Sequence, residues 1–431
     1  MAKHSQYVCQ QCGYSQVGWA GKCPNCSTWG SLVETLFEKS KEKRGEGAKR
    51  TVKPVSLTSI PARKSSRIST KISELDRVLG GGLVPGQVVL IAGEPGIGKS
   101  TLLLQLADKI GNSLYVSGEE SGSQIKVRAQ RLGTKSKGLK FLEETDVDSV
   151  IDSIDSPSLV VVDSIQTMST EDLSGLAGSV GQVRESAFRL LKKAKEKNIP
   201  LFMAGHVTKE GTVAGPAVLA HIVDTVLWFE GDKTLTLRLL RAVKNRFGPT
   251  DEVGIFDMQD KGLISVTDGE KLFLEKGNKQ VPGSVVASIL QGTRPMLVEI
   301  QALVVPTKMA FPKRVAQGLD SRRLEMILAV LIRRCGLPLY DNDVFVNVAG
   351  GMKVVEPGAD LAIALAIASA YFDKPISAKT LAVGEVGLLG EIREVMAQEK
   401  RIREGKRLGF TQVVSSKEYR FVGEVVKEFL K

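Results

Sequence analysis

Gly93-Glu94-Pro95-Gly96-Ile97-Gly98-Lys99-Ser100-Thr101 reads G-x-x-x-x-G-K-[ST], a loop built to hold nucleotide phosphates. Its surroundings fit as well as its letters. The apolar run Val88 to Ala92 precedes it as a buried strand, and Leu102, Leu103, Leu106 and Ile110 follow at helical spacing. The glycines let the backbone wrap phosphate oxygens, so that amides and the helix N-terminus point at the anion. Lys99 neutralises the β- and γ-phosphates of ATP and Ser100 holds Mg²⁺. A plain glycine-rich turn would not bring strand, lysine, serine and helix in this order.

Such a loop needs a carboxylate at the tip of a second buried strand to order the metal, and Leu159-Val160-Val161-Val162-Asp163 supplies one. Hydrolysis also needs a group that orients or deprotonates water. Leu114-Tyr115-Val116-Ser117-Gly118-Glu119-Glu120-Ser121 reads as a short strand ending in paired carboxylates. Glu119 is the first choice for that role and Glu120 the second; the alternative is a pair that only complements a helix dipole. The strand Pro200 to Gly205 ends at His206, one of three histidines in the chain, which either reads the γ-phosphate or bonds nearby backbone. An alternating strand from Leu235 delivers Lys244 and Arg246, two apart and expected on one side. Two cations together suit a phosphate in a neighbouring subunit, or a solvated face.

With the loop at 93–101, Ser-Gly-Glu-Glu-Ser at 117–121, Val-Val-Asp-Ser at 161–164 and Lys-Asn-Arg-Phe-Gly at 244–248, the chain resembles the bacterial RadA (Sms) family, relatives of the RecA recombinase and of DnaB-type hexameric helicases. The resemblance covers essentially the whole chain, and Lys-Asn-Arg-Phe-Gly is that family's own signature. It implies a RecA-like P-loop core with a parallel sheet, and a ring-forming, hexameric, DNA-stimulated ATPase driving branch migration. It also implies single-stranded and branched DNA as ligands and the RecA recombinase as a partner. By the same likeness Lys244 and Arg246 act on the adjacent subunit's nucleotide, and loops 165–182 and 207–216 face DNA.

Cys9-Gln-Gln-Cys12 and Cys23-Pro-Asn-Cys26 are two C-x-x-C knuckles with ten residues between them. Four thiolates make a closed, structural Zn²⁺ site, a zinc ribbon over 1–30. Redox pairing is the alternative, but so short a stretch needs a staple to fold. Trp19 and Trp29 are either a contact surface or the ribbon's small core. Cys335 reads as core.

Net charge is +11, and residues 39–71 hold eleven Lys or Arg against Glu42 and Glu46, a local excess of +9. The segment 31–65 reads as a basic flexible linker that either concentrates the protein on DNA or only solubilises it. No apolar run is long enough to span a membrane, and no signal-peptide pattern opens the chain. Thiols committed to metal suit the cytoplasm.

Residues 66–270 alternate apolar strands with helices, including 121–132 and 180–197, the pattern of an α/β domain. From 281 to 431 the pattern restarts as an α+β domain. Strands are expected at 284–290, 297–305 and 343–348, and helices at 322–334 and 360–370. This part resembles the proteolytic domain of Lon proteases, with two departures. Ala359 stands where that family has its serine, and Glu399 falls near the place of its lysine. Without hydroxyl and base there is no acyl-enzyme chemistry. Lys308, Lys313, Arg314, Arg322 and Arg323 are the candidate DNA contacts, or a solvated basic loop.

Two other readings compete with a DNA motor. A Lon-type protease would degrade casein. A KaiC-like signalling ATPase, which shares the paired glutamates, would phosphorylate itself and ignore DNA.

Overall fold

The structure is a computed structural model and describes residues 4–9, 14–25, 27–37, 56, 67–206, 218–231, 236–266, 280–309 and 311–431. Cys12, Cys26, the loop 207–216 and nearly all of the basic segment lie outside the described residues. The chain divides into two compact units, 1–267 and 268–431.

The ribbon is a small antiparallel sheet. β1 (His4–Cys9) pairs with β2 (Ser15–Gln16) and, along its full length, with β3 (Leu32–Phe37). The ribbon therefore runs past residue 30, because β1 needs β3 as its second neighbour. Cys9, Cys23 and Leu32 form its core. Trp19 and Trp29 are 65% and 75% exposed, so they are surface and not core.

The nucleotide-binding part contains β4 (Val88–Gly93), β5 (Ser113–Ser117), β6 (Leu139–Glu143), β7 (Leu159–Asp163), β8 (Leu201–His206) and β9 (Thr225–Glu230). They are followed by β10 (Leu237–Asn245), β11 (Val253–Gln259) and β12 (Gly262–Ser265). The sheet order is β12-β11-β10-β9-β4-β8-β7-β5-β6. The six strands from β9 to β6 are parallel, and β10 to β12 extend the sheet as an antiparallel meander. The sequence separates the two kinds. β4, β5 and β7 are buried along their whole length, β4 and β7 around the apolar runs 88–92 and 159–162, whereas β10 alternates buried and half-buried residues over most of its length. Along β4, Val89 and Ile91 enter one core and Val88 and Leu90 the other, so layers cover both faces. The helices are α1 (Ser73–Leu79), α2 (Lys99–Ile110), α3 (Gly122–Leu132), α4 (Val147–Asp152) and α5 (Val180–Lys197). α5 buries Val183, Ala187, Leu190 and Ala194, one stripe at helical spacing, and ends on Asn198 in the left-handed conformation.

The loop expected at 165–182 is shorter than that. Ile165–Thr167 is a 3₁₀ turn, and Gln182 lies inside α5, buried, bonding backbone groups of Thr170, Leu173 and Gly175. No lysine or arginine occurs in it.

The second unit holds a mixed six-stranded sheet. Its elements are β13 (Ser284–Gln291), β14 (Arg294–Pro306), β15 (Arg314–Gln317), α6 (Ser321–Cys335), β16 (Asn342–Val348), α7 (Asp360–Phe372), β17 (Thr380–Val383), β18 (Glu385–Val386), β19 (Ile392–Arg393), α8 (Gln398–Arg407), β20 (Gln412–Ser415) and α9 (Val422–Leu430). The order is β15-β16-β14-β13-β17-β20, with β18 and β19 as a separate pair. α7 is buried continuously from Asp360 to Ser369, which its alanines permit by letting strands approach closely. Cys335 is buried, as core.

Candidate functional site

Four neighbouring parallel strands, β4, β8, β7 and β5, end along one edge of the sheet, where such folds bind ligands. Gly93 lies opposite His206, and Ser117 opposite Asp163. The phosphate loop leaves β4 and enters α2 through Gly98, whose φ of 118° suits glycine; a methyl there would also crowd Met258. Lys99 is 3% exposed, and its Nζ donates to the carbonyls of Gly93 and Glu94 at 2.9 and 3.0 Å. Burial lowers its pKa to about 8, against the charges of Asp163 and Glu119, which raise it. A bound phosphate favours the charged form. ATP affinity is therefore expected to be constant below that value and to fall about tenfold per pH unit above it. Titration of a fluorescent ATP analogue between about pH 7 and 9.5 checks this, and a flat profile removes Lys99 as the charge that binds phosphate.

Asp163 is 8% exposed, and Tyr115 Oη donates to its Oδ2 at 2.5 Å. Ser100 opens α2 as a half-buried hydroxyl. A hydroxyl and a carboxylate are hard oxygen donors, and this set fits Mg²⁺.

Glu119 accepts from Ser164 Oγ at 2.5 Å and lies 3.5 Å from His206 Nε2. The histidine contact is the largest influence on its pKa; with the Ser164 bond it outweighs burial and holds the carboxyl at about 2. Glu120 turns elsewhere, to Arg128 at 2.5 Å. Of the two carboxylates, Glu119 belongs to the edge that carries Lys99. Gly118 is required just before it, since a methyl would collide with the Thr167 hydroxyl.

Lys244 and Arg246 part company. Lys244, in β10, donates to the carbonyls of Ala220 and Val223 at 2.7 and 2.8 Å. Arg246 lies one residue past the strand; its side chain is 56% exposed and touches Asp224 at 3.5 Å. The strand is irregular between Ala242 and Lys244, which breaks the expected two-residue alternation. Asn245 is structural, accepting from the Phe247 amide at 3.0 Å.

In the second unit the five-residue basic cluster is not one surface. Arg323 forms a bidentate pair with Asp360, Nε to Oδ1 at 2.5 Å, and Arg314 donates to the carbonyls of Asn342 and Leu339. Both are tied into the fold. Lys308, Lys313 and Arg322 are exposed, and Phe311 between the two lysines is 84% exposed. Phe311 is not among the sequence-based candidates, although an aromatic among cations is the signal for stacking on bases. Ala359 is fully buried. Glu399 is not its neighbour in chemistry: it is exposed and paired with Lys417. From the same helix Arg401, wholly buried, reaches the 356–359 turn and clamps Glu356 at 2.6 and 2.5 Å.

In the ribbon, Cys9 and Cys23 are buried in one core, and Cys23 opens a turn closed by Ser27 N to Cys23 O at 2.9 Å. Two cysteines brought into one small core suit a thiolate-bound metal.

A family model described as an AAA domain matches residues 54–212, and one described as a rubredoxin metal binding domain matches 7–34. A third, described as subunit ChlI of Mg-chelatase, matches 320–419, within the Lon-like unit. The DNA repair protein RadA of Bacillus subtilis is 48% identical over 425 residues, covering 96% of this chain and 93% of that protein. The protein of the same name from Listeria monocytogenes is 48% identical over 421 residues, covering 95% and 91%. That from Streptococcus pyogenes serotype M1 is 48% identical over 421 residues, covering 96% and 93%. With three-part architecture and near full-length identity in agreement, the chain belongs to the family of the DNA repair protein RadA.

Proposed function

We propose that this chain is a DNA-stimulated ATPase of recombinational repair, working as a hexameric ring that moves single-stranded or branched DNA, alongside a RecA recombinase. One observation carries the reading: Lys99, Asp163, Glu119 and His206 meet at one sheet edge, while Arg246 stands exposed for a phosphate outside its own subunit. The phosphates of ATP lie along residues 93–101, with Lys99 exchanging its two carbonyl partners for phosphate oxygens. Ser100 and Asp163 would hold Mg²⁺, which when bound would supply charge to offset that developing on the phosphates. Glu119 stays ionised and orients the attacking water; His206 and Ser164 hold it in place. Arg246 reaches the neighbouring nucleotide, and Lys244 braces the strand end that presents it. Lys308, Lys313, Arg322 and Phe311 contact DNA, and Arg314 and Arg323 support that surface from inside. The ribbon binds Zn²⁺ through Cys9, Cys12, Cys23 and Cys26.

A Lon-type protease is the poorer reading, since Ala359 offers no hydroxyl and the turn meets a guanidinium. No described helix is long and apolar enough to cross a membrane. The test measures ATPase rate with and without single-stranded DNA, beside the mass and zinc content of the assembly. Stimulation by DNA in a zinc-loaded ring is expected. Arg246→Ala is expected to keep nucleotide binding and lose turnover about 10- to 100-fold, the worth of one charge-assisted contact at the transition state. A metal-loaded monomer with no turnover under either condition sinks the proposal.

A further inference from the structure

Asp163 is expected to order the metal, yet nothing in its own strand fixes which way the carboxylate turns. A neighbouring strand does. Tyr115 sits in β5 beside β7, with Tyr115 opposite Val161 and Ser117 opposite Asp163 in the ladder. Its side chain is fully buried and its hydroxyl donates to Asp163 Oδ2 at 2.5 Å. The ring is packed in the same core as Leu103, Leu104 and Ile125, so the hydroxyl has no freedom to follow a moving carboxylate. A phenol anchored in this way is a fixed point, and the aspartate takes its orientation from it.

We propose that Tyr115 is a positioning residue for the metal: it occupies one oxygen of Asp163 and leaves the other, Oδ1, aimed at the Mg²⁺ that accompanies ATP. This rests on the nucleotide site proposed above and adds a residue to it. A tyrosine in a buried strand otherwise needs only some acceptor for its hydroxyl. Here the acceptor is the one carboxylate whose direction matters for the metal, and the geometry is short. Carboxylates that bind metals are held by such outer partners, and losing a partner weakens metal binding about 10- to 100-fold.

The test is Tyr115→Phe in the full-length protein, which removes one oxygen and keeps the packing. Binding of a fluorescent ATP analogue is measured without divalent ion and again across a Mg²⁺ titration, with thermal melting as a check on folding. The metal-free affinity is expected to match that of the parent protein. The Mg²⁺ concentration giving half-maximal tightening is expected to rise about 10-fold or more. In an Asp163→Asn background the same substitution should add nothing to the Mg²⁺ dependence, because the two act as one unit. A lowered melting temperature with an unshifted Mg²⁺ midpoint overturns the proposal and leaves Tyr115 a packing residue. An equal shift in the Asp163→Asn background overturns it as well. If the parent protein itself shows no Mg²⁺-dependent nucleotide binding, the nucleotide site fails, and this inference with it.

Discussion

Glu119→Gln is expected to bind Mg²⁺ and ATP as the parent protein does and to turn ATP over about 10²- to 10⁴-fold more slowly. The substitution keeps the size of the side chain and an acceptor for Ser164, so the loop should hold its shape. What is lost is a full negative charge where the proposed mechanism places the nucleophilic water. The carboxyl lies at about 2, so Glu119 is charged throughout the physiological range, and its basicity is low for the same reason. Under the proposed function its work is therefore to align the water and stabilise positive charge developing on it, with the proton passing on to phosphate or solvent. Lys99→Ala acts differently: it removes the cation that meets the phosphates, so binding itself should fail. Single-turnover hydrolysis beside equilibrium nucleotide binding separates the two variants. Glu119→Gln turning over at the parent rate removes Glu119 from the reaction and returns the choice to Glu120.

The phosphate loop was legible because every requirement is local: a strand, three glycines, a lysine, a hydroxyl and a helix lie within a few turns of chain. Asp163 and His206 were legible for a related reason, since each closes an apolar run at the ligand side of a parallel sheet. Glu119 and Glu120 could be ranked and not separated. Adjacent residues on a turn point apart, and which one faces inward depends on Arg128, eight residues on in α3. The basic cluster at 308–323 failed in part because charge says nothing of direction. Arg323 is drawn in by Asp360 and Arg314 by backbone carbonyls, both partners distant in sequence. The alternating strand from Leu235 was read as β10, but its antiparallel setting and the strands β11 and β12 were missed, since neither carries a motif of its own. Tyr115 passed as one more apolar strand residue, because its hydroxyl acts only through β7.

The position that sequence alone least anticipated is Arg401, and its loss should unfold its surroundings. Arg401 is fully buried, and its guanidinium bonds both Glu356 oxygens, the Ser288 carbonyl at 2.5 Å and the Met396 carbonyl at 2.9 Å. Glu356 in turn accepts from the Leu290 amide at 3.0 Å, so one ion pair ties β13, the 356–359 turn and α8. Gly358 is required beside it, as a methyl there would stand 2.5 Å from Arg401 Nη1. Breaking a buried pair costs about 3–5 kcal/mol, because one charge stays behind unpaired. The side left behind decides the order. Arg401→Met leaves a carboxylate that is 22% exposed and can draw in water. Glu356→Ala leaves a guanidinium with no exposure at all, so the smaller change should cost at least as much. Removing both partners should cost less than the sum of the two single changes. Hydrogen exchange by mass spectrometry measures this in the full-length protein: α7 and β13 amides should lose protection in each single variant, while β4 and β7, in the other compact unit, serve as the internal reference. If α7 stays protected in both single variants, the pair is not what holds this unit together, and its place beside Gly358 must serve something other than stability.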